Sequence, residues 1–336
     1  MIGKTRLGVC IVGCGTISHT HAGAVKQNEN LFLAGVCDRN AEAAAAFAGD
    51  NGCRVFSSLE EACASDDVDI VAVCTPSGTH FGIAKEILSR GKNALVEKPV
   101  ALKAEQCEEL IALSEEKGLT CAMIAQQRYS DTARHIKRAI DEGRFGKIVL
   151  ATLDMKYYRA QDYYDGSAWK GTVDQDGGVL MNQGIHGVDL MCGFLGRPKV
   201  LSASIKTLER NIEADDIATA AVEYPCGAPG IITCTVCAYP GYPRRIEING
   251  TKGSILVEEN DIVRWDIDGE PPESTLPKTK SYREHFVSDF TMHARQYGDV
   301  AAHILTGKPL EYTLRDAAEP IAAIGDIYRF RKPKGD

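Results

Sequence analysis

This 336-residue chain has two side chains of the types that move protons in enzymes, a lysine after a predicted strand and a histidine on a predicted helix. Lys98 comes directly after an apolar run, and the ring of Pro99 fixes the turn and therefore the direction of the lysine. His186 lies four residues after Asn182 in a helical pattern, so both share one helix face, which Asp189 extends. A lysine or an imidazole in such a place could take the proton of an alcohol.

Both residues also have structural alternatives. Lys98 could be a solvated loop lysine in an ion pair with Glu97, and His186 could be a buried histidine without a chemical role. If both act on one substrate, the sequence does not decide which of them is the principal acid and base.

A glycine-rich turn near the start of the chain suits a phosphate group. The apolar run 7–12 predicts a buried strand, Gly13 and Gly15 end it, and a helical pattern begins at Thr16, a candidate N-cap. Backbone N–H groups and the positive end of the helix then meet at one point. Gly15 has no side chain to hold a pyrophosphate away from the backbone, and Ser18 takes the third position of this fingerprint.

An acidic residue ends the second predicted strand. The apolar run 31–37 leads to Asp38, about where the dinucleotide fingerprint places an acid for a ribose hydroxyl. Asp38 could instead cap the alanine-rich helix 41–48. The neighbouring Arg39 could pair with a 2′-phosphate, so we expect NAD as the cofactor and NADP as a possible one.

Strand and helix patterns alternate up to about residue 125. This alternation predicts a parallel sheet covered on both faces, forming a dinucleotide-binding domain over 1–125. The carboxyl ends of its strands share one edge, where such sheets bind ligands. The candidate cofactor contacts at that edge are Gly13, Gly15, Thr16, Ile17, Asp38, Arg39, Thr75, Pro76, Ser77, His80, Glu97 and Lys98.

The pattern changes in the second domain, predicted over 126–336. Short alternating strands dominate between about 200 and 265, which favours an α+β domain with a large open, mostly antiparallel sheet and one free face. The other predicted elements are a helix over 132–142, a strand over 147–157, a surface loop over 266–280, a helix over 284–306 and a helix over 314–331 that could pack back on the first domain.

Composition excludes several classes of function. The net charge of −8 argues against a nucleic-acid or membrane surface, and no apolar run has the length of a bilayer span. The first strand begins so early that a signal peptide has no room, so we expect a cytoplasmic protein. The twelve cysteines occupy mostly apolar positions, and Cys234 and Cys237 would point to opposite faces of a strand, so we expect no metal site.

Four motifs together resemble the Gfo/Idh/MocA oxidoreductases, a family that includes glucose–fructose oxidoreductase and inositol dehydrogenase. They occur in the order of that family and span nearly the whole chain. The motifs are Gly13-Cys-Gly-Thr-Ile-Ser-His-Thr-His21, Thr75-Pro76, Glu97-Lys98-Pro99 and Gly177-Gly-Val-Leu-Met-Asn-Gln-Gly-Ile-His186.

The resemblance implies a Rossmann domain, a second open-sheet domain, and hydride transfer between NAD(H) or NADP(H) and a sugar, sugar nucleotide or cyclitol. Lys98 matches the lysine of the Glu-Lys-Pro motif, and His186 matches the catalytic histidine of the family. Many members have Asp four residues before that histidine, where this chain has Asn182. An amide neither gains nor loses a proton near neutral pH, so Asn182 would not supply the acid of an acid–histidine proton relay. Some members that act on sugar nucleotides are similar to this chain in having Asn at this position.

We therefore expect the catalytic residues Lys98, His186 and Asn182 to meet at the nicotinamide end of a cleft. Aromatic residues could pack on a sugar ring, or they could serve ordinary packing. The candidate substrate contacts are Lys98, Arg128, Tyr157, Arg159, Tyr163, Trp169, Asn182 and His186.

Alternative functions stay open at this level. Similar folds run glycoside hydrolysis through transient oxidation with a recycled cofactor, and others could respond to a nicotinamide cofactor without turnover. A transferase or a purely structural protein is a third alternative. The free sheet face predicts a homodimer or homotetramer, because such a face usually requires a cover.

Overall fold

A computed structural model describes residues 4–269 and 290–332. The chain divides into two compact units, which are residues 1–126 with 287–318, and residues 127–286 with 319–336. Residues 287–318 therefore count with the first unit, whereas the sequence placed them in the second domain. The final helix is divided between the units at residue 318.

The first unit is built on a six-stranded parallel sheet with the order β3-β2-β1-β4-β5-β6. The progression reverses between the adjacent β1 and β4, which is the point where such sheets bind ligands. The strands are β1 (Leu7–Val12), β2 (Leu31–Cys37), β3 (Arg54–Val55), β4 (Ile70–Val73), β5 (Asn93–Val96) and β6 (Cys121–Met123). The helices are α1 (Thr16–Lys26), α2 (Ala41–Asn51), α3 (Leu59–Ala64), α4 (His80–Ser89) and α5 (Ala104–Lys117).

Every residue of β1 and of β4 is buried, as expected for central strands with helices on both faces. These apolar runs hold the strand ends at fixed positions. The predicted Rossmann arrangement is therefore confirmed, with most element boundaries within a few residues of the prediction.

The second unit contains a seven-stranded sheet with the order β13-β12-β11-β7-β10-β9-β8. Its helices are α6 (Asp131–Asp141), α7 (Asp162–Asp165), α8 (Val173–Asp176) and α9 (Ile185–Leu195), and a π-helical segment covers Leu180–Gly184. Its strands are β7 (Ile148–Lys156), β8 (Lys199–Lys206), β9 (Ile217–Glu223), β10 (Pro229–Thr235), β11 (Arg245–Gly250), β12 (Ser254–Glu258) and β13 (Asp261–Asp266). The sheet is mostly antiparallel, as predicted, but β7 and β10 pair in parallel.

One face of this second sheet packs against α9. A Cβ atom at Gly187 would lie 2.7 Å from the sulfur of Met155 and 2.8 Å from a methyl of Leu153, so the helix can approach β7 only because this residue is glycine. On the opposite face Ile231 of β10 is 50% exposed. The alternation of buried and exposed residues follows the two faces.

Two helices follow the second sheet, α10 (Thr291–Thr306) and α11 (Leu314–Tyr328). The side chains of Tyr297, Val300 and Ala301 on α10 join the core of the first unit. Residues 284–289 of the predicted helix and 270–280 of the predicted loop lie outside the described residues. Within the described residues no helix is long and apolar enough to cross a membrane.

Candidate functional site

The glycine-rich turn joins β1 to α1 and has two glycines with different constraints. Gly13 has φ +96°, and a Cβ atom there would lie 2.7 Å from the carbonyl oxygen of Cys74. Gly15 has ordinary dihedrals, and a Cβ atom there would meet no heavy atom within 4 Å beyond its chain neighbours. Gly13 is therefore required by the fold, whereas Gly15 leaves space in front of the helix end.

The helix α1 begins at Thr16 with Gly15 as its N-cap, and no side chain caps it. The prediction of Thr16 as the cap is wrong. The hydroxyl of Ser18, at the third fingerprint position, donates a hydrogen bond to the carbonyl oxygen of Gly15 and is fully buried. A small hydroxyl is thus accommodated where many such turns have glycine, and the helix end stays open to an anion.

Asp38 is held at the end of β2 by two backbone donors. Its Oδ2 accepts a hydrogen bond of 2.7 Å from the N–H of Cys14, and its Oδ1 accepts one of 2.7 Å from the N–H of Asn40. Asn40, rather than Asp38, caps α2, because its side chain accepts from the N–H of Glu42 and of Ala43. The alternative role of Asp38 as a helix cap is therefore excluded, and its carboxylate lies beside the glycine-rich turn.

His80 connects two strand ends. Its Nε2 lies 2.7 Å from the carbonyl oxygen of Thr75, and its Nδ1 lies 2.7 Å from that of Pro99. Burial lowers the pKa of His80, although both carbonyls favour the protonated ring. The imidazole joins the turn after β4 to the turn after β5, so both of its nitrogens are already engaged by the backbone.

The turn after β5 carries Lys98, which is half-buried between the buried residues Glu97 and Pro99. The Lys98–Pro99 peptide bond is cis. The Oε2 of Glu97 accepts a hydrogen bond of 3.1 Å from the N–H of Lys98, so the carboxylate fixes the backbone that carries the lysine.

Glu97 also anchors a buried polar cluster. Its Oε1 lies 2.9 Å from Nε2 of His21, and Nδ1 of His21 lies 2.7 Å from the hydroxyl of Tyr297. Burial opposes ionisation of Glu97, but its hydrogen bond with His21 and the nearby imidazole of His293 outweigh it and hold its pKa well below the usual range. Burial lowers the pKa of His21. A neutral His21 donating to an ionised Glu97 agrees with both directions.

This cluster was not evident from the sequence. The ligand-type atoms of His21, Glu97 and His293 lie within 4.8 Å of one another, and His293 Nε2 is buried with no hydrogen-bond partner, 3.8 Å from Glu97. These residues are far apart in the sequence, and although His21 and Glu97 stand within motifs, His293 does not. Hydrogen bonding accounts for His21 and Glu97 without a metal.

In the second unit a chain of polar groups surrounds the start of α9. Asn182 donates from Nδ2 to the buried carboxylate of Asp176, and Gln183 donates to Oδ1 of Asn182 at 3.1 Å. Arg159 donates to Oε1 of Gln183 at 3.0 Å. The hydroxyl of Tyr163 accepts from Gln183 at 3.3 Å. Three predicted substrate residues therefore lie in one network.

The network includes residues that sequence reasoning missed, namely Asp176, Gln183 and Lys170. The ammonium of Lys170 lies 3.9 Å from the ring centre of Tyr163, and burial lowers its pKa against the opposing charge of Asp176. Asp176 stands immediately before the Gly-Gly pair of a motif, and this position in the sequence could have identified it as a candidate site residue.

The predicted polar strip on α9 divides into two environments. Asp189 is 3% exposed and accepts hydrogen bonds of 2.8 and 2.9 Å from the guanidinium of Arg128. Asn182 belongs to the π-helical segment, whose wider turn breaks the regular spacing toward His186. Arg128 and Asp189 thus form an ion pair, and a substrate contact by Arg128 stays a prediction.

The remaining predicted contacts occupy ordinary positions. Arg39 and Thr16 are exposed, Ser77 is buried, and Trp169 is half-buried. The guanidinium carbon of Arg159 lies 5.9 Å from the ring centre of Tyr157. Roles for these residues toward a ligand stay predictions.

A glycine-rich turn at an uncapped helix end, an acid after β2 and a lysine after β5, all on one Rossmann sheet, define a dinucleotide-binding oxidoreductase as the class of protein. The comparison with family models agrees. Residues 7–125 match the model described as oxidoreductase family, NAD-binding Rossmann fold, and residues 133–256 match the GFO/IDH/MocA C-terminal domain. The chain belongs to the Gfo/Idh/MocA family of NAD(P)-dependent oxidoreductases.

Individual relatives extend the likeness over nearly the whole chain. The WlbA dehydrogenase of Bordetella pertussis, solved with NADH and UDP-GlcNAcA, is 32% identical, covers 98% of this chain and 96% of its own, and has a TM-score of 0.88. The WlbA dehydrogenase of Chromobacterium violaceum, solved with the same two ligands, is 30% identical with a TM-score of 0.86, over 97% of this chain and 94% of its own. Inositol 2-dehydrogenase of Rhizobium meliloti (strain 1021) is 28% identical over 76% of this chain and 77% of that protein.

Proposed function

We propose that the protein oxidises a secondary alcohol of a sugar nucleotide or a related sugar or cyclitol, with NAD as hydride acceptor, or runs the reverse reduction. The observation that carries this proposal is the likeness to the WlbA dehydrogenase of Bordetella pertussis over 98% of the chain. The hydrogen bond from the N–H of Lys98 to Glu97, which fixes the turn of the lysine, supports it. Bound NAD would take the hydride, and the open space before Gly15 and the carboxylate of Asp38 fit such a group.

Lys98 and His186 would handle the proton of the substrate hydroxyl. We assign the principal acid and base role to His186, and to Lys98 the binding and polarisation of the hydroxyl. An amide cannot carry a proton near neutral pH, so Asn182 would orient the substrate. The cluster of Glu97 and His21 supports the assignment of Lys98, because it fixes the lysine backbone.

Substrate contacts would come from the polar network of the second unit. Tyr157, Arg159 and Tyr163 offer aromatic faces and a guanidinium within one group, which suits the apolar face and the hydroxyls of a sugar ring. Trp169 and Arg128 complete the proposed set. Arg128 would act with its guanidinium already paired to Asp189.

We propose NAD in preference to NADP. Asp38 is fixed by two backbone donors beside the glycine-rich turn, so its carboxylate could accept from a ribose 2′-hydroxyl and would repel a 2′-phosphate. The exposed Arg39 leaves use of NADP open.

A homodimer or homotetramer is the proposed assembly. Ile231 of β10 and Leu150 of β7 lie on the same face of the second sheet and are 50% and 38% exposed. We expect light scattering to give a dimer or tetramer, and Ile231→Lys to weaken it, while Leu208→Lys at another exposed site does not. A monomer at micromolar concentration would overturn this assembly.

We also propose a cytoplasmic location. The twelve cysteines are free thiols, and eight of them are buried. Burial raises the pKa of Cys121 to about 12, which keeps that thiol protonated and unreactive. Such use of cysteine as a small apolar residue suits a reducing compartment.

The substrate can be found by a thermal-shift screen. The probes are UDP-GlcNAc, UDP-GlcNAcA, myo-inositol and levoglucosan, each with NAD⁺ or with NADP⁺. We expect a sugar nucleotide with NAD⁺ to raise the melting temperature most. Stabilisation by neither cofactor would contradict the proposed function.

A further inference from the structure

A line of hydrogen bonds crosses the second unit from a cation to a buried anion. It starts at Arg159, passes through Gln183 and Asn182, and ends at Asp176, which is 2% exposed. The other carboxylate oxygen of Asp176 accepts a hydrogen bond of 2.8 Å from the N–H of Gly171. At the other end, Arg159 also donates to the carbonyl oxygen of Tyr158 at 3.0 Å. Both ends of the line are therefore fixed to the protein.

The ends of this line give it a direction. A guanidinium can only donate hydrogen bonds, and an ionised carboxylate can only accept them. Gln183 must then present its oxygen to Arg159 and its NH₂ to Asn182, and Asn182 must present its NH₂ to Asp176. The amide orientations follow from the chemistry of the end groups as well as from the observed geometry.

The line also spans the π-helical segment that leads to His186. Asn182 and Gln183 are two of its five residues, and the segment passes directly into α9 at Ile185. Hydrogen bonds that polarise one another in a weakly solvated site are stronger together than singly. If the group at position 176 became a donor instead of an acceptor, the donors and acceptors of Asn182 and Gln183, which precede the histidine, would therefore have to change as well.

We propose that Asp176 and Gln183 are positioning residues, which fix the amide of Asn182 and the π-helical turn before His186 in the arrangement needed for turnover. The proposal rests on the proposed function, because it assigns His186 and Asn182 to the reaction. The proposal adds a reason for the amide at position 182. Asp176 needs a hydrogen-bond donor there, and a carboxylate at position 182 would face the carboxylate of Asp176.

Each single exchange of acid and amide should break the line. In Asp176→Asn, the new amide keeps its oxygen toward Gly171 only by turning its NH₂ toward the NH₂ of Asn182. Reversal of both following amides would then turn an NH₂ group toward Arg159. In Asn182→Asp, two carboxylates meet, so the line can close only if one of them takes up a proton, which costs free energy at neutral pH.

The double exchange Asp176→Asn/Asn182→Asp should restore it. The new carboxylate at position 182 can accept from Gln183 and from the new amide at position 176, whose oxygen still accepts from Gly171. All donors and acceptors of the line are then matched again. The two exchanges therefore form a double-mutant cycle, in which the second exchange is expected to offset the loss caused by the first.

The experiment measures kcat, KM and the cofactor dissociation constant for the two single variants, the double variant and Asp174→Asn. Asp174 is an exposed acid on the same short helix, so it is a matched control. We expect each single variant to lose about tenfold or more in kcat, the double variant to recover to within about threefold of the wild type, and the control to be unchanged. Cofactor affinity should stay constant throughout.

Stability measurements separate positioning from folding alone. Urea unfolding of each variant gives the folded fraction, and kcat is expressed per folded molecule. A loss of kcat that disappears after this correction would overturn the proposal, and so would a double variant no more active than the weaker single one. A wild type that never reduces nicotinamide would instead contradict the proposed function, whereas active single variants contradict only this inference.

Discussion

The two polar regions of the molecule are held in different ways. At the strand ends of the first unit, the groups that are held in place belong to the backbone: Gly13 has a left-handed conformation, and the N–H of Lys98 donates to the carboxylate of Glu97. In the second unit, side chains position other side chains, as in the line from Arg159 to Asp176. The first region should therefore tolerate no change of backbone, and the second should tolerate paired changes of side chain.

The largest expected effect compares one proposed catalytic residue from each region. Lys98→Ala and His186→Ala should each lower kcat by about 10²–10⁴, the usual cost of removing a positioned acid or base. Asn182→Ala should cost less, because an amide does not carry the proton. Steady-state kinetics on the selected substrate checks this, with the exposed Lys103→Ala as control. Near-normal turnover by both variants would refute the assignment.

The second prediction contrasts the two glycines of the turn. Gly15→Val should weaken NAD binding by at least about tenfold, or ~1.4 kcal/mol, while the free energy of unfolding hardly changes, because the site before Gly15 is open. Gly13→Ala should destabilise the fold itself by roughly 1–3 kcal/mol, because of its φ value and the close carbonyl of Cys74. Calorimetry and urea unfolding test the pair. Wild-type cofactor affinity in Gly15→Val would show that the pyrophosphate lies elsewhere.

The third prediction concerns cofactor choice. Asp38→Ser should weaken NAD⁺ binding by about tenfold, comparable to the loss of one hydrogen bond to a charged group. It should also reduce the ratio by which the protein binds NAD⁺ more tightly than NADP⁺. Dissociation constants for both cofactors decide the matter. If the wild type binds NADP⁺ clearly more tightly than NAD⁺, the role given to Asp38 is wrong.

The last prediction concerns the free energy of unfolding as a function of pH. Burial lowers the folded-state pKa of His21 and of His80, so the unfolded chain binds these protons first as pH falls. Their stabilising contribution is complete above the unfolded value of about 6.5 and declines below it by ~1.4 kcal/mol per pH unit and proton. Glu97, with a depressed pKa, adds a further loss below about pH 4.3.

Urea unfolding between pH 7.5 and 5 measures this slope. His80→Asn should remove about one proton from this slope. A free energy of unfolding that stays flat across this range would contradict the burial of neutral histidines.

The same contrast explains what the sequence could predict. Runs such as 7–12 and 70–73 are apolar throughout, and their strand ends are fixed by local turn chemistry, so the Rossmann sheet and the residues at its edge could be read directly. The role of Asp38 could not be separated from helix capping until Asn40 was seen to cap α2. Local patterns therefore predicted the strand ends and turns of the first unit well, and the roles of their residues toward a cofactor stay predictions.

The rest depends on contacts between distant residues. His21 meets Tyr297 across 276 positions, and helical spacing alone could not reveal that Asp189 pairs with Arg128 while Asn182 pairs with Asp176. The π-helical segment further breaks the 3.6-residue period on which the polar strip was predicted. No one-dimensional pattern carries this information.

The most direct test of the central claim follows nicotinamide absorbance while the wild-type protein is mixed with excess NAD⁺ and the sugar nucleotide selected by thermal shift. The account predicts many turnovers, with one reduced nicotinamide formed for each alcohol oxidised, and loss of this signal in His186→Ala. Tight binding of both ligands without any net change in absorbance would contradict it, whether the substrate stays intact or is hydrolysed with a recycled cofactor.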